Sequence, residues 1–414
     1  VREDVAALPK NGQEIFPDPV ELSPREWVNF VAVFPNTSNL EVLNALANGA
    51  NGLILHLQGD ENLADLLRDV MPSYISILLK PLGDPTSVLD HYLKWVKETG
   101  TPESELTGGM LWSPMDFLFD EGKSWEEGIL MLKQVMNSCP SGANFRAFMF
   151  DFSRYAEAGA TGLDELIFGF GEVIELIAQS GIDQQLFFNR SGVFTAVGNS
   201  HFPEIAKVKA IRFFMSELAF QYGVNLDPRD VFCVAKTSCW SKSTLDANSN
   251  LIRQTYEALA AVLGGVNGLW IAPIQAENSE KLDSRIARNV SSILTHESYL
   301  DKVTDPAAGS YYLDHLIHEL VEKLKTGLQK LEAAGGWKAA FDSRKIHAKV
   351  RESRRKRQNQ VFSGERSKIG VNKYPASGKL KKDISFSPLE EERESALIPS
   401  RASYLVELQN LKGS

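Results

Sequence analysis

Three basic side chains stand at the ends of short apolar runs, where a binding site could form. They are Arg154, Arg190 and Lys236. Guanidinium and ammonium groups bind carboxylates and phosphates, so together these side chains could hold an anion. Pairing of the same cations with nearby acids is an equally good interpretation. The strand ends read from the sequence carry only cationic and neutral residues, which does not favour general acid-base chemistry.

Other reactive arrangements lack residues that their chemistry requires. His315 and His318 can share a helix face but have no third metal ligand at a usable spacing. The segment 238–240 does not form the Gly-x-Ser-x-Gly turn of a nucleophilic serine, and no Gly-x-Gly-x-x-Gly or Walker-type loop occurs. Three cysteines are too few and too scattered for a disulfide framework. The sequence therefore predicts neither a metal site nor a Ser or Cys nucleophile.

The composition is that of an ordinary globular protein. The 414 residues carry a net charge of -9, which argues against nucleic-acid binding because phosphates require a basic footprint. No apolar run reaches ~18 residues, so no membrane span is predicted. The first residues contain acids and do not resemble a secretory signal. These features predict a cytoplasmic protein, in which the basic stretch 344–357 is interpreted as a solvated helix face.

The elements that must position the candidate residues alternate along the chain. Seven short apolar runs have the continuity of buried parallel strands, and an eighth is expected near Met110 or Val303. The seven runs are 52–57, 74–79, 109–115, 145–152, 185–190, 231–238 and 268–274. Amphipathic helical segments separate them. Right-handed crossovers would roll such an α/β alternation into a barrel or an open sheet, and the lack of a Gly-rich phosphate turn favours a (β/α)8 TIM-type barrel.

The predicted barrel spans residues 39–336. An N-terminal arm is predicted at 1–38, because this stretch is rich in Pro and has no sustained periodicity. A C-terminal helical extension and tail are predicted at 337–414. In such a barrel the functional residues belong at the carboxyl ends of the strands.

Eight segments carry a resemblance to a known family. In chain order they are EAGAT at 157–161, EIAKVKA at 204–210, TSCWS at 237–241, NLIRQTYEALAAVLGG at 250–265, SRIARN at 284–289, HES at 296–298, DPAAGSYY at 305–312 and IGVNKY at 369–374. In order and spacing they resemble the methylmalonyl-CoA mutase family of adenosylcobalamin-dependent isomerases, which are built on a (β/α)8 barrel. Most of these residues are framework. Gly264 and Gly265 are expected to end a helix, and Ser310 to cap the next. Asp305 and Arg285 are expected to pair.

The residues that the family uses for chemistry are replaced. The family's Tyr-His pair, whose His lies over the migrating carbonyl, aligns with Ser153 and Arg154. The acyl-CoA-binding strand end, Arg-Thr-His-x-Gln in the family, aligns with 232–236, which places Val234 and Lys236 at its His and Gln positions. The resemblance therefore implies a degenerate pocket.

The cofactor positions are also replaced. The segment that holds the adenosyl group in the family aligns with 270–276, where Trp270, Ala272 and Ala276 stand. The family also has a strand with the pattern Arg-x-Ser-x-Phe, of which this chain keeps Arg190 and Phe194. These two residues and Lys236 are the candidates for substrate binding. The sequence has no Asp-x-His-x-x-Gly corrin-ligand motif, so no cobalamin-binding domain is expected in this chain.

Intact framework with a degenerate pocket is typical of the small, non-catalytic subunit of heterodimeric bacterial mutases. Such a chain would bind no cofactor itself and would stabilise a catalytic large subunit that carries adenosylcobalamin. Self-association of the isolated chain is a further expectation. The alternative is a catalytic barrel for another acyl-CoA that uses a cobalamin domain on a separate chain, with Arg154, Arg190 and Lys236 as a clamp. A role in cobalamin loading is the third hypothesis.

Overall fold

A parallel β-sheet surrounded by helices forms the centre of the molecule. The computed structural model describes residues 25–119, 124–140, 144–273, 281–375 and 396–412. Within these ranges a nine-stranded sheet contains β1 (Val28–Val33), β2 (Gly52–Leu57), β3 (Ser76–Pro81), β4 (Thr107–Met110), β5 (Asn144–Arg146), β6 (Phe148–Asp151), β7 (Ser191–Val197), β8 (Cys233–Thr237) and β9 (Gly268–Trp270). Two short strands, β10 (Ile369–Gly370) and β11 (Lys373–Pro375), form a separate pair.

Helices connect the strands and extend the chain beyond them. In the described ranges they are α1 (Asn39–Ala47), α2 (Leu63–Leu66), α3 (Pro85–Thr99), α4 (Pro114–Phe119), α5 (Trp125–Ser138), α6 (Ser153–Glu157), α7 (Gly162–Ser180), α8 (Gln184–Arg190), α9 (His201–Gln221), α10 (Ala247–Gly264), α11 (Lys281–His296), α12 (Tyr311–Ala333), α13 (Gly336–Asp342), α14 (Lys345–Phe362) and α15 (Tyr404–Lys412). Side-chain caps define where several helices begin. Ser38 and Ser124, for example, each form a capping box with the glutamate three residues later.

The sheet closes into a barrel through an interrupted strand. Only Ala147 separates β5 from β6, so they are two halves of one strand. β5 pairs with β4, and β6 pairs with β7, at the two ends of the order β5-β4-β3-β2-β1-β9-β8-β7-β6. The amide of Met149 in β6 also donates to the carbonyl of Trp112, just beyond β4, at 3.0 Å. These pairings confirm the predicted (β/α)8 TIM-type barrel.

Alternate strand residues supply two apolar layers. In β2, Leu53 and Leu55 pack with the outer core, whereas Ile54 belongs to the cluster inside the barrel, as the two-residue period of a strand requires. The inner cluster consists of Phe30, Ile54, Leu78, Leu111, Met149, Phe194 and Val234. None of these side chains is more than 3% exposed. The barrel interior is therefore a packed apolar core.

Two predicted elements differ from the structure. The run 185–190, predicted as a strand, forms α8, because Asp183 caps its start by accepting from the amide of Leu186. The strand follows at β7, and a short apolar run alone does not distinguish the two cases. The eighth strand is β1, which lies inside the stretch predicted as an arm. Met110 belongs to β4, and Val303 lies in none of the described strands.

The predicted framework contacts are partly confirmed. Helix α10 ends at Gly264, and Gly265 has the left-handed φ of 102° that favours glycine at a helix end. Ser310 caps α12 by accepting from the amide of Leu313. The predicted pairing of Asp305 with Arg285 is wrong, since Asp305 forms its ion pair with Lys209 on α9, which packs against α12.

The basic stretch 344–357 packs against the barrel. Arg357 lies with its guanidinium carbon 4.6 Å from the ring centre of Trp240 and donates to the carbonyl of Ala160 at 2.7 Å. Arg354, on the same helix, is only 8% exposed. The interpretation of this stretch as a solvated face is therefore only partly right. Four of its basic side chains are exposed, namely Lys345, Lys349, Arg355 and Lys356. Arg357 instead holds α14 onto the loop at Ala160, and Arg354 donates to the carbonyl of Ile398 at 3.3 Å.

Candidate functional site

Side chains from several strands gather at the carboxyl-terminal mouth of the barrel, where the strands end together. They are Phe34 after β1, His56 in β2, Lys80 in β3, Asp151 in β6, Lys236 in β8 and Trp270 in β9. Of these, the sequence identified Lys236 and Trp270. The expectation that the strand ends carry no histidine or carboxylate is wrong, since His56 and Asp151 lie there.

Two carboxylates neutralise the cations on one side of the mouth. Lys80 Nζ lies 3.6 Å from Asp116 Oδ2 and 4.0 Å from Asp151 Oδ2. Arg154 forms an ion pair with Asp116, and its Nε donates to the carbonyl of Asp151 at 3.0 Å. Burial opposes ionisation of Asp116, but the charges of Lys80 and Arg154 outweigh it and hold its pKa below the ordinary value. Ser153 also donates to Asp151, so both residues at the degenerate Tyr-His positions are bound within the protein.

Lys236 is neutralised on the other side of the mouth. Its Nζ lies 3.6 Å from Glu157 Oε2 and 5.9 Å from the ring centre of Trp270. Glu157 also accepts from the Ser238 hydroxyl at 2.7 Å and from the Cys239 amide at 3.1 Å. Burial disfavours the charge on Lys236, but Glu157 outweighs it and raises the pKa of Lys236. Lys236 is therefore held in an ion pair with a buried carboxylate, while its own side chain is 20% exposed.

His56 lies between these two groups of charges. Its ring stacks on Phe34 with 4.5 Å between centroids and meets Trp270 edge-on at 6.3 Å. Burial and then the charge of Lys80 lower the pKa of His56 to about 4. The imidazole is therefore neutral at pH 7, and its Nδ1 has no hydrogen-bond partner among the described residues. A neutral imidazole can accept a proton or a hydrogen bond but is a poor proton donor at this pH.

Arg190 lies at the opposite end of the barrel from Arg154 and Lys236. It is the last residue of α8, directly before the amino end of β7. Its Nη1 donates to the carbonyl of Pro140 at 2.6 Å and to that of Phe145 at 3.4 Å. The structure thus does not bring the three predicted cations together, because the full length of a strand separates Arg190 from the mouth.

The remaining substrate candidate, Phe194, and the degenerate pocket position Val234 are core residues. Phe194 is 2% exposed and Val234 is fully buried, and both belong to the apolar cluster inside the barrel. Their neighbours in that cluster leave these side chains no exposed face to offer. Of the predicted substrate set, Lys236 alone lies at the mouth in the described part of the chain.

The residues at the family's adenosyl position do not fit that group. Trp270 is apolar apart from its indole N–H, and the side chain of Ala272 offers no donor or acceptor. The amide of Ala272 is already used, since it donates to Thr237 Oγ1 at 2.9 Å. Ala276 lies outside the described residues. In the described part of this segment, no side chain offers the pair of acceptors that a ribose would require.

A buried polar cluster joins the mouth to the C-terminal segment 396–412. The amide of Ser400 donates to the carbonyl of Glu157 at 2.9 Å. Farther along, Glu407 accepts from the Ser243 hydroxyl and from the Thr244 amide, each at 3.1 Å. The sequence offered no sign of these contacts. They anchor the segment beside the loop that carries the TSCWS residues.

Neither metal binding nor a membrane span is indicated by the described residues. They contain no group of three or more His, Cys, Asp or Glu side chains placed to hold a metal ion. His315 and His318 both lie on α12. Among the helices in the described ranges, none is long and apolar enough to cross a bilayer.

Known proteins similar to this chain belong to one family. The family model described as methylmalonyl-CoA mutase matches residues 49–403. The methylmalonyl-CoA mutase small subunit of Porphyromonas gingivalis is 26% identical over 350 residues, covering 82% of this chain and 57% of that protein. The large subunit from the same organism is 31% identical over 225 residues, covering 53% and 31%.

A relative whose name specifies no subunit also matches this chain. The methylmalonyl-CoA mutase of Escherichia coli is 32% identical over 235 residues, covering 55% of this chain and 33% of that protein. The chain thus spans 57% of the length of the small subunit and about a third of the other two relatives. The family match extends over most of the barrel and into the C-terminal segment, and the chain therefore belongs to the methylmalonyl-CoA mutase family.

Proposed function

We propose that this chain is a non-catalytic small subunit of a methylmalonyl-CoA mutase and that it stabilises a catalytic large subunit. The observation that carries the proposal is the mouth of the barrel, where each cation already has a carboxylate partner. Arg154 is committed to Asp116, and Lys236 is committed to Glu157. A substrate anion would have to displace these carboxylates.

A radical isomerase requires hydrogen-bond donors that are free to bind the substrate, not donors already paired with carboxylates of the protein. Hydrogen-bond donors must be aimed in advance at the substrate carbonyl, since preorganised donors are usually the largest contribution to catalysis. Here the position of the family's catalytic His is occupied by Arg154, whose guanidinium is turned into the protein. The apolar cluster that includes Phe194 and Val234 fills the barrel interior. Within the described part of the chain these residues give the barrel a packed apolar core, which supports a barrel that holds no substrate.

Family membership supports the partner and the cofactor of this proposal. Its relatives include proteins named as small and as large subunits, which supports a heterodimer in which the large subunit carries adenosylcobalamin. Adenosylcobalamin in the partner would supply the radical that starts the rearrangement. The complex would interconvert methylmalonyl-CoA and succinyl-CoA in the cytoplasm. In isolation, the surface meant for the partner would favour self-association of this chain.

The test is an assay of reconstituted complexes. The chain is purified alone and together with the large subunit from the same genome, and mutase turnover is measured with adenosylcobalamin. We expect no turnover by the chain alone, a stable complex on size-exclusion chromatography, and a higher melting temperature for the large subunit in the complex. Turnover by this chain with only a separate cobalamin-binding domain would overturn the proposal and favour the catalytic-barrel alternative.

A further inference from the structure

A cavity of about 200 Å³ lies at the amino-terminal end of the barrel, on the side opposite the mouth. It is bounded by α9, the end of α10 and the turns before β1, β8 and β9. The charged residues that line it are Arg25, Glu26, Lys209, Arg212, Arg229 and Asp305. This volume is many times the ~10–15 Å³ of accessible space that one water molecule needs. It is therefore large enough for a small polyatomic ion.

Two of the four cations are neutralised. Lys209 forms a buried ion pair with Asp305. Arg229 pairs with Asp227, which accepts from its Nη2 at 2.7 Å and from its Nε at 3.0 Å. Asp305 and Asp227 are thus used by these two cations, whereas the carboxylate of Glu26, which also lines the cavity, is exposed.

The other two cations have only neutral acceptors. Arg212 is 9% exposed and donates to the carbonyl of Pro228 at 3.1 Å and to Asn267 Oδ1 at 2.6 Å. Its Nε has no partner among the described residues. Arg25 donates through Nη2 to the carbonyl of Val266, at a long distance of 3.5 Å. Both guanidinium groups therefore retain donors that the described residues do not fill.

The two groups face the same gap. A Cβ placed on Gly265 would lie 3.6 Å from Arg212 Nε and 3.9 Å from Arg25 Nη2. Since Gly265 has no side chain, the space between the two guanidinium groups stays open to the cavity. Its φ of 102° also disfavours any other residue at this position.

The like charges of the two arginines oppose each other across this gap. Burial and then the charge of Arg212 lower the pKa of Arg25 to about 10, although Asp305 acts in the opposite direction. Burial likewise lowers the pKa of Arg212. An anion between the two groups would relieve both effects, because it would fill the open donors and balance the charge.

We propose that this cavity binds a small oxyanion, a phosphate or a carboxylate group, between Arg25 and Arg212. Guanidinium groups bind such oxyanions through paired N–H donors in a planar fork. The site lies at the opposite end of the barrel from the mouth and shares no residue with it. It adds a ligand-binding function to a chain in which the cations at the mouth are already paired with carboxylates.

The test is calorimetric titration of the full chain with inorganic phosphate at an ionic strength held constant with chloride. A parallel titration with acetate distinguishes a phosphate site from a carboxylate site. We expect one ion to bind with one-to-one stoichiometry and the substitution Arg25→Gln to weaken that binding by about tenfold or more. Arg212→Gln is expected to do the same.

A matched control removes an equal charge from the same cavity. Arg229→Gln is expected to leave the affinity nearly unchanged, because Asp227 already neutralises this arginine. Arg212 also holds neighbouring backbone carbonyls, so circular dichroism must show that its variant is folded; if it is not, Arg25→Gln decides. Binding of neither ion by the unaltered chain, or equal weakening by Arg25→Gln and Arg229→Gln, would refute the site. Either result would leave the proposed subunit role intact, since turnover is not measured.

Discussion

The two ends of the barrel carry similar sets of basic side chains but differ in how those charges are balanced. At the mouth, each cation has a carboxylate within 4.0 Å; the three cations are Lys80, Arg154 and Lys236. At the amino-terminal end, Arg25 and Arg212 have only neutral acceptors among the described residues. The number of cations in a region therefore says less about anion binding than the number of carboxylates that reach them.

This difference reverses what the family would suggest. The mouth is the end at which a catalytic barrel works, yet here it is electrostatically satisfied. Buried ion pairs of this kind resist disruption, because removing one partner leaves the other charge without compensation. The spare positive charge lies at the end that usually serves stability.

The largest effect is expected from breaking the acid cluster at the mouth. Asp116→Asn leaves much of the charge on Arg154 and Lys80 uncompensated. Little water reaches this pair, because the Asp116 and Arg154 side chains are only 13% and 12% exposed. We expect a loss of about 3–5 kcal/mol in the free energy of unfolding. Urea unfolding followed by circular dichroism measures it.

The matched control lies at the opposite end of the barrel. Asp227→Asn breaks the pair with Arg229, whose side chains are 38% and 57% exposed. This change is expected to cost at most about 1 kcal/mol, because exposed pairs contribute little. Equal losses in the two variants would contradict a larger stabilising contribution from the ion pairs at the mouth.

A smaller, pH-dependent effect is expected from His56. Its pKa is about 4 in the folded chain and 6.5 in the unfolded chain, so the unfolded state binds more protons between these values. The folded state therefore loses stability as the pH falls from 6.5 to 4, by roughly 2 kcal/mol for this partly exposed group. His56→Phe keeps the stacking on Phe34 and should remove this component.

The measurement is urea unfolding at a series of pH values. Contributions from the carboxylates are common to both proteins and cancel in the difference. Parallel stability curves for the unaltered chain and the variant would contradict a depressed pKa for His56 and would place its ring in contact with water.

The smallest effect on stability is expected at the amino-terminal end. Gly265→Ala should cost about 1 kcal/mol because of the positive φ, and it should also weaken phosphate or acetate binding because its methyl group enters the gap between Arg25 and Arg212. Gly100→Ala is the control, since Gly100 has a φ of 76° with nothing within 4 Å of the added Cβ. It should cost a similar amount of stability and leave anion affinity unchanged. Thermal unfolding and calorimetric titration measure the two quantities; unchanged anion affinity in Gly265→Ala would place the ion elsewhere.

The sequence determined the barrel and most of its strands. Apolar runs such as 52–57 and 231–238 are long enough and continuous enough to be buried on both sides, and parallel strands show that pattern. Caps such as Ser310 and ends such as Gly265 could also be predicted, because they depend on a few adjacent residues. The pattern was insufficient at 185–190, where a capping aspartate turned an apolar run into a helix.

The tertiary structure alone decided what the basic side chains do. Arg154 meets Asp116 and Lys236 meets Glu157 only because strands and loops far apart in the sequence end at the same mouth. Arg190 lies at the other end, since a residue before a strand and a residue after one are separated by the length of the barrel. Local patterns fix which segments become strands and helices, whereas the pairing of charges depends on which segments the closed ring of strands brings side by side.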